Sequence, residues 1–406
     1  MSSVLNRRDA LLIDVAAFVR SATVSLVGIT LAIHLSAIGF STTQIGLLIG
    51  AGLAGSSLAT VIVSLRGDRW GRRRVLLSLA VFTAVGYIAL AVSTNATSLV
   101  VFAFIGMLNG MGRDRGAASA LEQAALPETV PDDQRTWALA WYNVVIDAGH
   151  AVGALAAAVP TLLTRALGTT QDGAHQITYM LCAAAMLICM GPYLALTSRI
   201  EVAAAVPGWR PPITPASRRV ITRLALLFGL DSIGGGFLNT ALISYWFFRQ
   251  YGTSEAELAV LFFVARVLNA LSHVGAAWLA HRIGLLNTMV WTHLPSSLFL
   301  IAAPISPNVA IAKALFLARE ALVEMDVPTR QSYVLAIVAP SERNFASGVT
   351  NVTRNIAWAA GPSIAGAVMQ HVALAGPLII GGALKIVYDL LLYRGFRRIR
   401  PPEEEV

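Results

Sequence analysis

Apolar runs, each about as long as a membrane-spanning helix, follow one another along the chain with short polar stretches between them. A helix needs roughly 20 mostly apolar residues to cross about 30 Å of hydrocarbon. The runs do not show the roughly ten-residue alternating segments of a transmembrane barrel. Twelve runs have the required length, and they predict helices over 10–36, 43–65, 75–94, 98–121, 136–163, 176–197, 222–248, 256–280, 284–304, 307–328, 344–370 and 374–394.

Composition supports a lipid environment for these helices. Of the 406 residues, 56% are hydrophobic and 13% are charged, whereas a soluble domain carries about 25% charged residues. The first apolar run is too long for a signal peptide and has no clear cleavage site, so it is interpreted as a retained helix. The chain is therefore predicted to be an integral membrane protein that is embedded in the bilayer.

Arginine sets the predicted orientation. The formal net charge is +8, and 28 of the 30 basic residues are arginines. Most of them fall in the tails or in the loops that follow even-numbered helices. Cytoplasmic loops carry the excess of basic residues, so both termini are predicted to be cytoplasmic. Because these residues line loops rather than one folded face, nucleic-acid binding is not predicted.

Enzyme and metal chemistry find no support in the sequence. The two cysteines, Cys182 and Cys189, are seven positions apart on one predicted helix. Two helical turns separate them by roughly 11 Å, which is too far for a disulfide. No zinc-ligand spacing, phosphate-binding loop or serine nucleophile motif occurs. We therefore predict no catalytic residues, no metal and no cofactor.

The chain contains an internal repeat. Leu121–Gly153 aligns with Thr329–Gly361 at a shift of 208 residues, and the matched polar and glycine positions are Gln123 with Gln331, Arg135 with Arg343, Asn143 with Asn351 and Gly153 with Gly361. At a shift of 213, "GDRWG" lies over "AHRIG". Two similarly oriented halves enclose a site near the membrane midplane in transporters that are built from parallel repeats.

The repeat predicts the domain organisation. A polar, proline-containing stretch separates the two copies. The predicted parts are an N-terminal six-helix half at 1–197, a cytoplasmic central loop at 198–219, a C-terminal six-helix half at 220–397 and a disordered tail at 398–406.

The loop after the second predicted helix reads "SLRGDRWGRRRVLL" and resembles the signature G-x-x-x-D-R-x-G-R-R of the major facilitator superfamily. Ser64 stands where the first glycine belongs. The matching positions are Asp68, Arg69, Gly71, Arg72 and Arg73. The resemblance covers the whole chain and implies an all-α membrane protein with twelve transmembrane helices in two six-helix pseudo-repeats.

Three further segments, "LEQAAL", "RTWALAWYN" and "LKIVYDLLLYRGFRR", resemble a bacterial efflux-type branch of the same superfamily. This resemblance implies a location in the bacterial inner membrane. The middle of the fourth helix departs from the pattern of proton-driven exporters, because Phe104 stands where an arginine is usual. The glycine motif of the fifth helix is also weak.

The resemblance implies a cytoplasmic gate. In family members with this loop, an acid at the inner end of helix 4 and an arginine on helix 11 join it, and Glu122 and Arg354 stand at the matching places. The repeat places Arg330 over Glu122 and places Arg354 beside Asp147. A second latch between Arg330 and Asp147, with exchanged signs, is therefore predicted.

Charged residues inside the apolar runs are the candidates for substrate and proton binding. A charge at the bilayer centre costs about 2.5–3.5 kcal/mol on insertion scales, so such residues usually face a cavity or a partner. The resemblance implies that helices 1, 4, 7 and 10 line the cavity. Their candidate residues are Asp14, Arg20, Arg113, Asp114, Arg115, Asp231, Arg319 and Glu320.

An isolated carboxylate in such a cavity holds a proton more readily and can carry it. Asp14 and Asp231 are the candidates for that role. The alternative is a permanent ion pair, of Asp14 with Arg20 or of Asp231 with a cation of helix 10. Lys385 and Asp389 are four residues apart and are predicted to pair with each other. The histidines of the runs, including His293, are interpreted as packed side chains.

These observations favour a secondary transporter with a small-molecule substrate, and the chain is expected to act as a monomer. The first hypothesis is proton-coupled export of small amphipathic compounds across the inner membrane. The alternative is transport of a small organic or phosphorylated anion, because arginine binds carboxylate and phosphate well. A non-transporting receptor would need a large domain outside the membrane.

Overall fold

The computed structural model describes residues 2–131, 134–201, 214–338 and 342–398, so the tail from 399 and most of the predicted central loop lie outside the described residues. All longer elements in this part of the chain are helices. They are α1 Ser2–Ala37, α2 Thr42–Trp70, α3 Arg72–Val92, α4 Ala96–Gly106, α5 Ala117–Ala125, α6 Arg135–Ala156, α7 Val159–Leu167, α8 Gln171–Ile188, α9 Met190–Ala195, α10 Pro215–Phe237, α11 Thr240–Tyr251, α12 Glu255–Ile283, α13 Leu285–Ala302, α14 Val309–Val323, α15 Asp326–Ala336, α16 Arg343–His371 and α17 Gly376–Phe396.

The predicted count of twelve spanning helices is not confirmed. Among the described residues, nine helical stretches are long and apolar enough to cross a membrane. The predicted runs 98–121 and 307–328 are each split into two short helices. The third predicted run that is not among the nine, 344–370, is a continuous helix whose sequence is more polar than theirs.

The prediction of one continuous helix over 98–121 is wrong. α4 ends at Gly106, and Met107 takes a left-handed conformation with a φ of 53°. The Asn109 side chain accepts a hydrogen bond from the Met111 N–H and donates one to the Arg113 carbonyl oxygen. A local side-chain bond of this kind offers the backbone an alternative to the helix. The charged triplet at 113–115 therefore lies in an unwound segment, Met107–Gly116.

One compact unit comprises Met1–Pro207 together with Asn239–Phe263. In this first unit α1 packs on α6, α8 and α11, while α2 packs on α4 and α3 packs on α8. Glycine permits close contacts of this kind, because a Cβ atom on Gly52 would lie 2.0 Å from the carbonyl oxygen of Leu108. The backbones of α2 and the start of the unwound segment are thus in direct contact.

The second compact unit comprises Gly208–Leu238 and Val264–Val406. Here α10 packs on α16 and α17, and α13 packs on α14, α15 and α17. A Cβ atom on Gly361 would lie 2.6 Å from the Cα of Gly236, so α10 and α16 also meet backbone to backbone. The division of the chain into halves at 1–197 and 220–397 stays a prediction.

Candidate functional site

Arg20 lies at the centre of a buried charge network in the first unit. Its Nε is 2.6 Å from Oδ2 of Asp114, and its two terminal nitrogens donate to the carboxylate of Glu122 at 2.7 and 2.6 Å. All three side chains are buried. A planar guanidinium can serve two carboxylates in this way because its five N–H groups point in fixed directions. We call these three residues the Arg20 network.

Two tyrosines complete the coordination of Glu122. The Tyr193 hydroxyl donates to Oε1 and the Tyr142 hydroxyl donates to Oε2, both at 2.6 Å. Glu122 is fully buried, and each of its oxygens accepts a hydrogen bond from a tyrosine and from Arg20. A buried carboxylate is stable when its oxygens are bonded in this manner. Glu122 therefore serves as an anchor inside the first unit.

Asp14 is the less satisfied carboxylate of this region. It is buried, and its Oδ1 has no hydrogen-bond partner among the described residues. It also interacts unfavourably with the negative charge of Glu122. His150 does not add a cation in this arrangement, because its Nε2 accepts the Asp114 backbone N–H at 2.8 Å. Two carboxylates therefore bond the Arg20 guanidinium, and Asp14 adds a third buried carboxylate that interacts with Glu122.

The unwound segment Met107–Gly116 borders a cavity beside this network. Its empty volume is about 540 Å³, including the solvent at its mouth. Irregular backbone at membrane depth is tolerated where it is buried in protein or lines a hydrated cavity. Polar lining groups alternate with Leu76, Leu79 and Met186. The polar lining residues are Arg20, Ser56, Thr83, Tyr87, Asn109, Asp114 and Tyr193.

The start of α11 satisfies part of the unwound backbone. The Ala241 N–H donates to the Gly110 carbonyl oxygen at 3.0 Å, and the Thr240 hydroxyl donates to the Met111 carbonyl oxygen at 2.7 Å. Backbone groups that lose their helical partners at membrane depth need replacements of this kind. The break is therefore a bonded feature of the first unit.

Polar contacts connect the signature loop to other segments of the first unit. Nε of Arg72 is 2.7 Å from Oδ1 of Asp68, and its Nη1 donates to the Ala124 carbonyl oxygen at 3.0 Å. The carboxylate of Glu201 accepts the backbone N–H groups of Arg72 and Arg73 at 2.7 and 3.1 Å. An acid at a helix N-terminus is favourable. This loop thus joins α2 and α3 to α5 and to the segment after α9.

A similar contact occurs at the start of α10 in the second unit. The carboxylate of Glu342 accepts the Thr214 backbone N–H at 2.8 Å. Hydrogen bonds from the Ser217 side chain and the Thr214 backbone lower the pKa of Glu342. The starts of α3 and α10 therefore each bind a carboxylate from a distant part of the chain.

The second unit contains its own buried charge cluster. Nζ of Lys385 is 2.6 Å from Oδ1 of Asp231 and 3.3 Å from Nε2 of His293. Nδ1 of His293 lies 3.0 and 3.1 Å from the two oxygens of Asp389. All four side chains are buried. We call these four residues the His293 cluster.

The predicted pair of Lys385 with Asp389 is therefore wrong. The two residues are neighbours on α17, but each bonds a residue of another helix instead. Lys385 and Asp389 are both buried, so the rule for exposed helical pairs, which gives only about 0.2–0.5 kcal/mol, does not decide their partners. Asp231 has the ion pair foreseen as an alternative, although the nearest cation belongs to α17 rather than to helix 10.

Arg330 and Arg319 of the second unit also bond nearby carboxylates. Arg330 bonds Asp326, and its Nη1 lies 3.8 Å from Oδ2 of Asp231. Arg319 bonds its neighbour Glu320, whose carboxylate also accepts from the Asn269 amide at 2.9 Å. Neither arginine is therefore available as an isolated anion clamp.

The two units contain equivalent contacts with exchanged charges. Glu122 and Arg330 correspond at the repeat shift of 208, and Arg20 and Asp231 are 211 positions apart. In the first unit arginine belongs to the first helix of its half and the acid to α5; in the second, the acid belongs to α10 and arginine to α15. An exchange of signs is thus present between contacts inside the two units, while the predicted latch between Arg330 and Asp147 stays a prediction.

The structure brings some predicted residues together and leaves others apart. Glu122 bonds Arg20 instead of the signature loop, so within the first unit Asp68 and Arg72 form their contact without it. Arg113 is half-buried and Arg115 is exposed, and each of them interacts with another group. The other gate residues are placed separately: Arg69 and Asp147 are exposed in the first unit, and Arg354 lies 4.6 Å from the Trp358 ring in the second. The gates between halves stay predictions.

Sequence reasoning missed the residues that complete both clusters, which are Tyr142, Tyr193, His293, Lys385 and Asp389. A lysine and an aspartate inside one apolar run were a usable signal, because intramembrane charges are rare and usually paired. Their preferred partners could not be identified from spacing, since the contacts join residues that lie far apart in sequence.

Comparisons of the sequence and the structure with known proteins point to the same family. The family profile described as Major Facilitator Superfamily matches residues 13–362. The uncharacterized membrane protein YJR124C of Saccharomyces cerevisiae is 26% identical over 417 residues, which cover 95% of this chain and 93% of the relative. A D-xylose transporter of Levilactobacillus brevis is 32% identical over 106 residues, which cover 26% of this chain and 22% of the relative. The crystal structure of the nucleoside transporter NupG matches with a TM-score of 0.75 and 12% identity, and it covers 96% of this chain and 99% of that one.

Proposed function

Because the chain belongs to the major facilitator superfamily, we propose that it is a secondary transporter which exports small amphipathic compounds in exchange for protons. The family and the structural neighbours are transporters rather than enzymes. The observation that supports proton coupling is the buried Asp14, whose Oδ1 has no hydrogen-bond partner among the described residues. It interacts unfavourably with Glu122, whose own carboxylate is bonded to Arg20.

A buried carboxylate oxygen without a hydrogen-bond partner favours binding of a proton, because desolvation of the charged form is costly. Asp114 and Glu122 are bonded to Arg20, whereas Oδ1 of Asp14 is not hydrogen-bonded. We therefore assign the proton-carrying role in the first unit to Asp14. The Arg20 network holds the surrounding charges in place.

The cavity beside the unwound segment supports the substrate class. Apolar side chains and a few hydroxyl, amide and carboxylate groups share its lining, as in sites for small molecules that are partly polar. Two relatives are named as transporters of a sugar and of nucleosides, which are uncharged compounds rich in hydroxyl groups. An anionic substrate has less support, because Arg20 and Arg319 both bond carboxylates.

Export, the bacterial inner membrane and a monomeric state complete the proposal. The direction and the membrane rest on the resemblance of three segments to efflux-type members. The gate is proposed to consist of the signature loop with Glu122, Arg354, Asp147 and Arg330. Asp68 and Arg72 contribute the contact that the structure already contains.

The first experiment identifies a substrate class and a direction. Purified protein is tested by thermal shift with D-xylose, uridine, ethidium, benzoate and glucose 6-phosphate. The compound with the largest shift is then used in proteoliposomes with an imposed pH gradient and protein-free liposomes as the control. Exchange for protons should accumulate the compound in an acidic lumen, while co-transport would accumulate it in an alkaline lumen. Flux that ignores the pH gradient would overturn proton coupling.

The second experiment tests Asp14. Asp14→Asn should keep compound exchange without a gradient, because Asn preserves the shape of the side chain. It should lose at least about tenfold of the pH-driven accumulation, since general linkage requires a group that takes up the proton. Glu128→Gln, at an exposed acid, is the matched control and should leave both fluxes unchanged. Intact pH-driven accumulation in Asp14→Asn would remove the role from this residue.

A further inference from the structure

His293 of the second unit lies between a cation and an anion, and each contact fixes whether one of its ring nitrogens carries a hydrogen. A carboxylate only accepts hydrogen bonds when it is ionised, so Nδ1 of His293 must carry a hydrogen to bond Asp389. An ammonium only donates, so Nε2 must be unprotonated to bond Lys385. With both contacts present, at 3.0 and 3.3 Å, His293 is a neutral imidazole with its hydrogen on Nδ1.

The charge of the surroundings favours the opposite state. The carboxylates of Asp231, Asp326 and Asp389 outnumber the two permanent cations, Lys385 and Arg330. A neutral His293 leaves one negative charge in excess in a buried region. At the edge of the cluster, Glu324 and Arg354 interact with Arg330 and Asp231 and add one charge of each sign. The excess therefore remains when they are included.

The helices packed against α13 contribute most of these groups, while Asp231 belongs to α10 and Arg354 to α16. α17 provides Lys385, Asp389 and the ring of Tyr388, whose centroid is 6.0 Å from that of His293. α15 provides Asp326 and Arg330. The charged pair of α14, Arg319 with Glu320, is bonded to itself and to Asn269. Among these groups, His293 is the one whose ordinary titration falls near neutral pH.

We propose that His293 is a proton-binding group of the second unit. Protonation breaks its hydrogen bond with Lys385, and the added positive charge balances the excess carboxylate of the cluster. A proton on Nε2 would place two donors, the imidazolium and the ammonium, against each other. Lys385 would then keep only Asp231 as its partner, while His293 would keep Asp389. The contacts between α13 and α17 thus differ in the two protonation states.

This inference rests on the proposed proton coupling and adds to it a second site, in the half of the chain that does not contain Asp14. Asp231 becomes a positioning residue, because it holds Lys385 in place without being the group that titrates. A proton site in each unit suits a transporter whose conformational equilibrium responds to pH, since a ligand shifts an equilibrium by its differential affinity for the two states.

The test reads the ring of His293 directly and needs no substrate. Protein labelled with ¹⁵N and ¹³C in histidine is placed in lipid nanodiscs and followed by NMR between pH 5 and 9. The signal of His293 is the one lost in His293→Gln, and His281→Gln, at an exposed histidine, is the control. We expect a neutral ring with hydrogen on Nδ1 at high pH and an imidazolium at low pH.

Lys385→Met removes the ammonium that keeps Nε2 unprotonated, while Asp389 still requires a hydrogen on Nδ1. The imidazolium signal should therefore persist to a higher pH than in the wild type, whereas the spectrum of a purely structural histidine would not change with pH. If His293→Gln does not fold, the wild-type spectra still decide, with the signal located by elimination of the other histidines. A wild-type ring with hydrogen on Nε2, or a ring that does not change between pH 5 and 9, would overturn the inference.

A flux measurement separates the two proposals. With the compound chosen by thermal shift, His293→Gln should retain exchange but lose at least about tenfold of pH-driven accumulation. If the wild type itself ignores the pH gradient, the proposed function fails while the NMR result stands. If the wild type is pH-driven and His293→Gln is equally so, the inference fails and the proposed function remains.

Discussion

Glu122 has more strong hydrogen bonds than any other acid of the Arg20 network, and this determines what its removal should do. Its carboxylate accepts from Arg20 twice and from Tyr142 and Tyr193 once each. Glu122→Gln removes the charge and leaves Arg20 buried with one carboxylate. Removing one partner of a buried ion pair costs about 3–5 kcal/mol, because the other charge remains desolvated. We expect a clearly lower thermal unfolding midpoint in detergent.

The control for this prediction is Glu128→Gln, in which the same chemical change falls on an exposed residue. Surface substitutions usually change stability by no more than about 0.5 kcal/mol. Tyr193→Phe removes a single hydrogen bond and should have an intermediate effect. Equal midpoints for Glu122→Gln and Glu128→Gln would show that the network does not stabilise the first unit.

Individual residues of the site were predictable from the sequence, but their partners were not. Asp14, Arg20, Asp114 and Asp231 were identified because charges inside apolar runs are costly. Arg20 and Glu122 lie 102 positions apart, and one sequence contains no direct signal for such a contact. Glu122 was therefore assigned to the gate through a family resemblance, whereas the structure places it against Arg20.

Helices reveal a similar limit. Their length and approximate position follow from the apolar runs, as α2, α3 and α12 show. The break at Met107–Gly116 was hidden, because glycine is common in continuous membrane helices and a run of apolar residues gives no helical period to interrupt. The break becomes favourable only through contacts such as the bond from Ala241 to Gly110, which the local sequence does not contain.

Close packing of helix backbones leads to a second prediction. A methyl group on Gly52 would lie 2.0 Å from the Leu108 carbonyl oxygen, which cannot move without disturbing the unwound segment. Overpacking typically costs about 1–3 kcal/mol, so Gly52→Ala should lower the yield of folded protein and its unfolding midpoint. Gly191→Ala is the matched control, because nothing lies within 4 Å of the added methyl group. Equal stability of the two variants would contradict the contact.

The molecule as a whole was the most predictable part, for reasons that differ from those above. The signature loop and the repeat indicated the superfamily, and the family profile confirms membership over residues 13–362. Both signals can be detected in a single sequence because they consist of particular residue types at fixed spacings. The number of spanning helices was less predictable, since split helices and the polar α16 do not satisfy a simple length and hydropathy rule.

Orientation in the membrane is the last property to be predicted, and arginine determines it. Five arginines, at positions 66, 69, 72, 73 and 74, flank the turn between α2 and α3, and a cytoplasmic excess of basic residues fixes topology. A cysteine at exposed Glu128, after α5, should therefore face the cytoplasm, and one at exposed Gln171, at the start of α8, should face outside. The native Cys182 and Cys189 are buried and should label little. In intact spheroplasts an impermeant maleimide should react at position 171 alone, and after lysis at both positions. Labelling of position 128 before lysis, with position 171 protected, would mean that the chain is inserted the other way round.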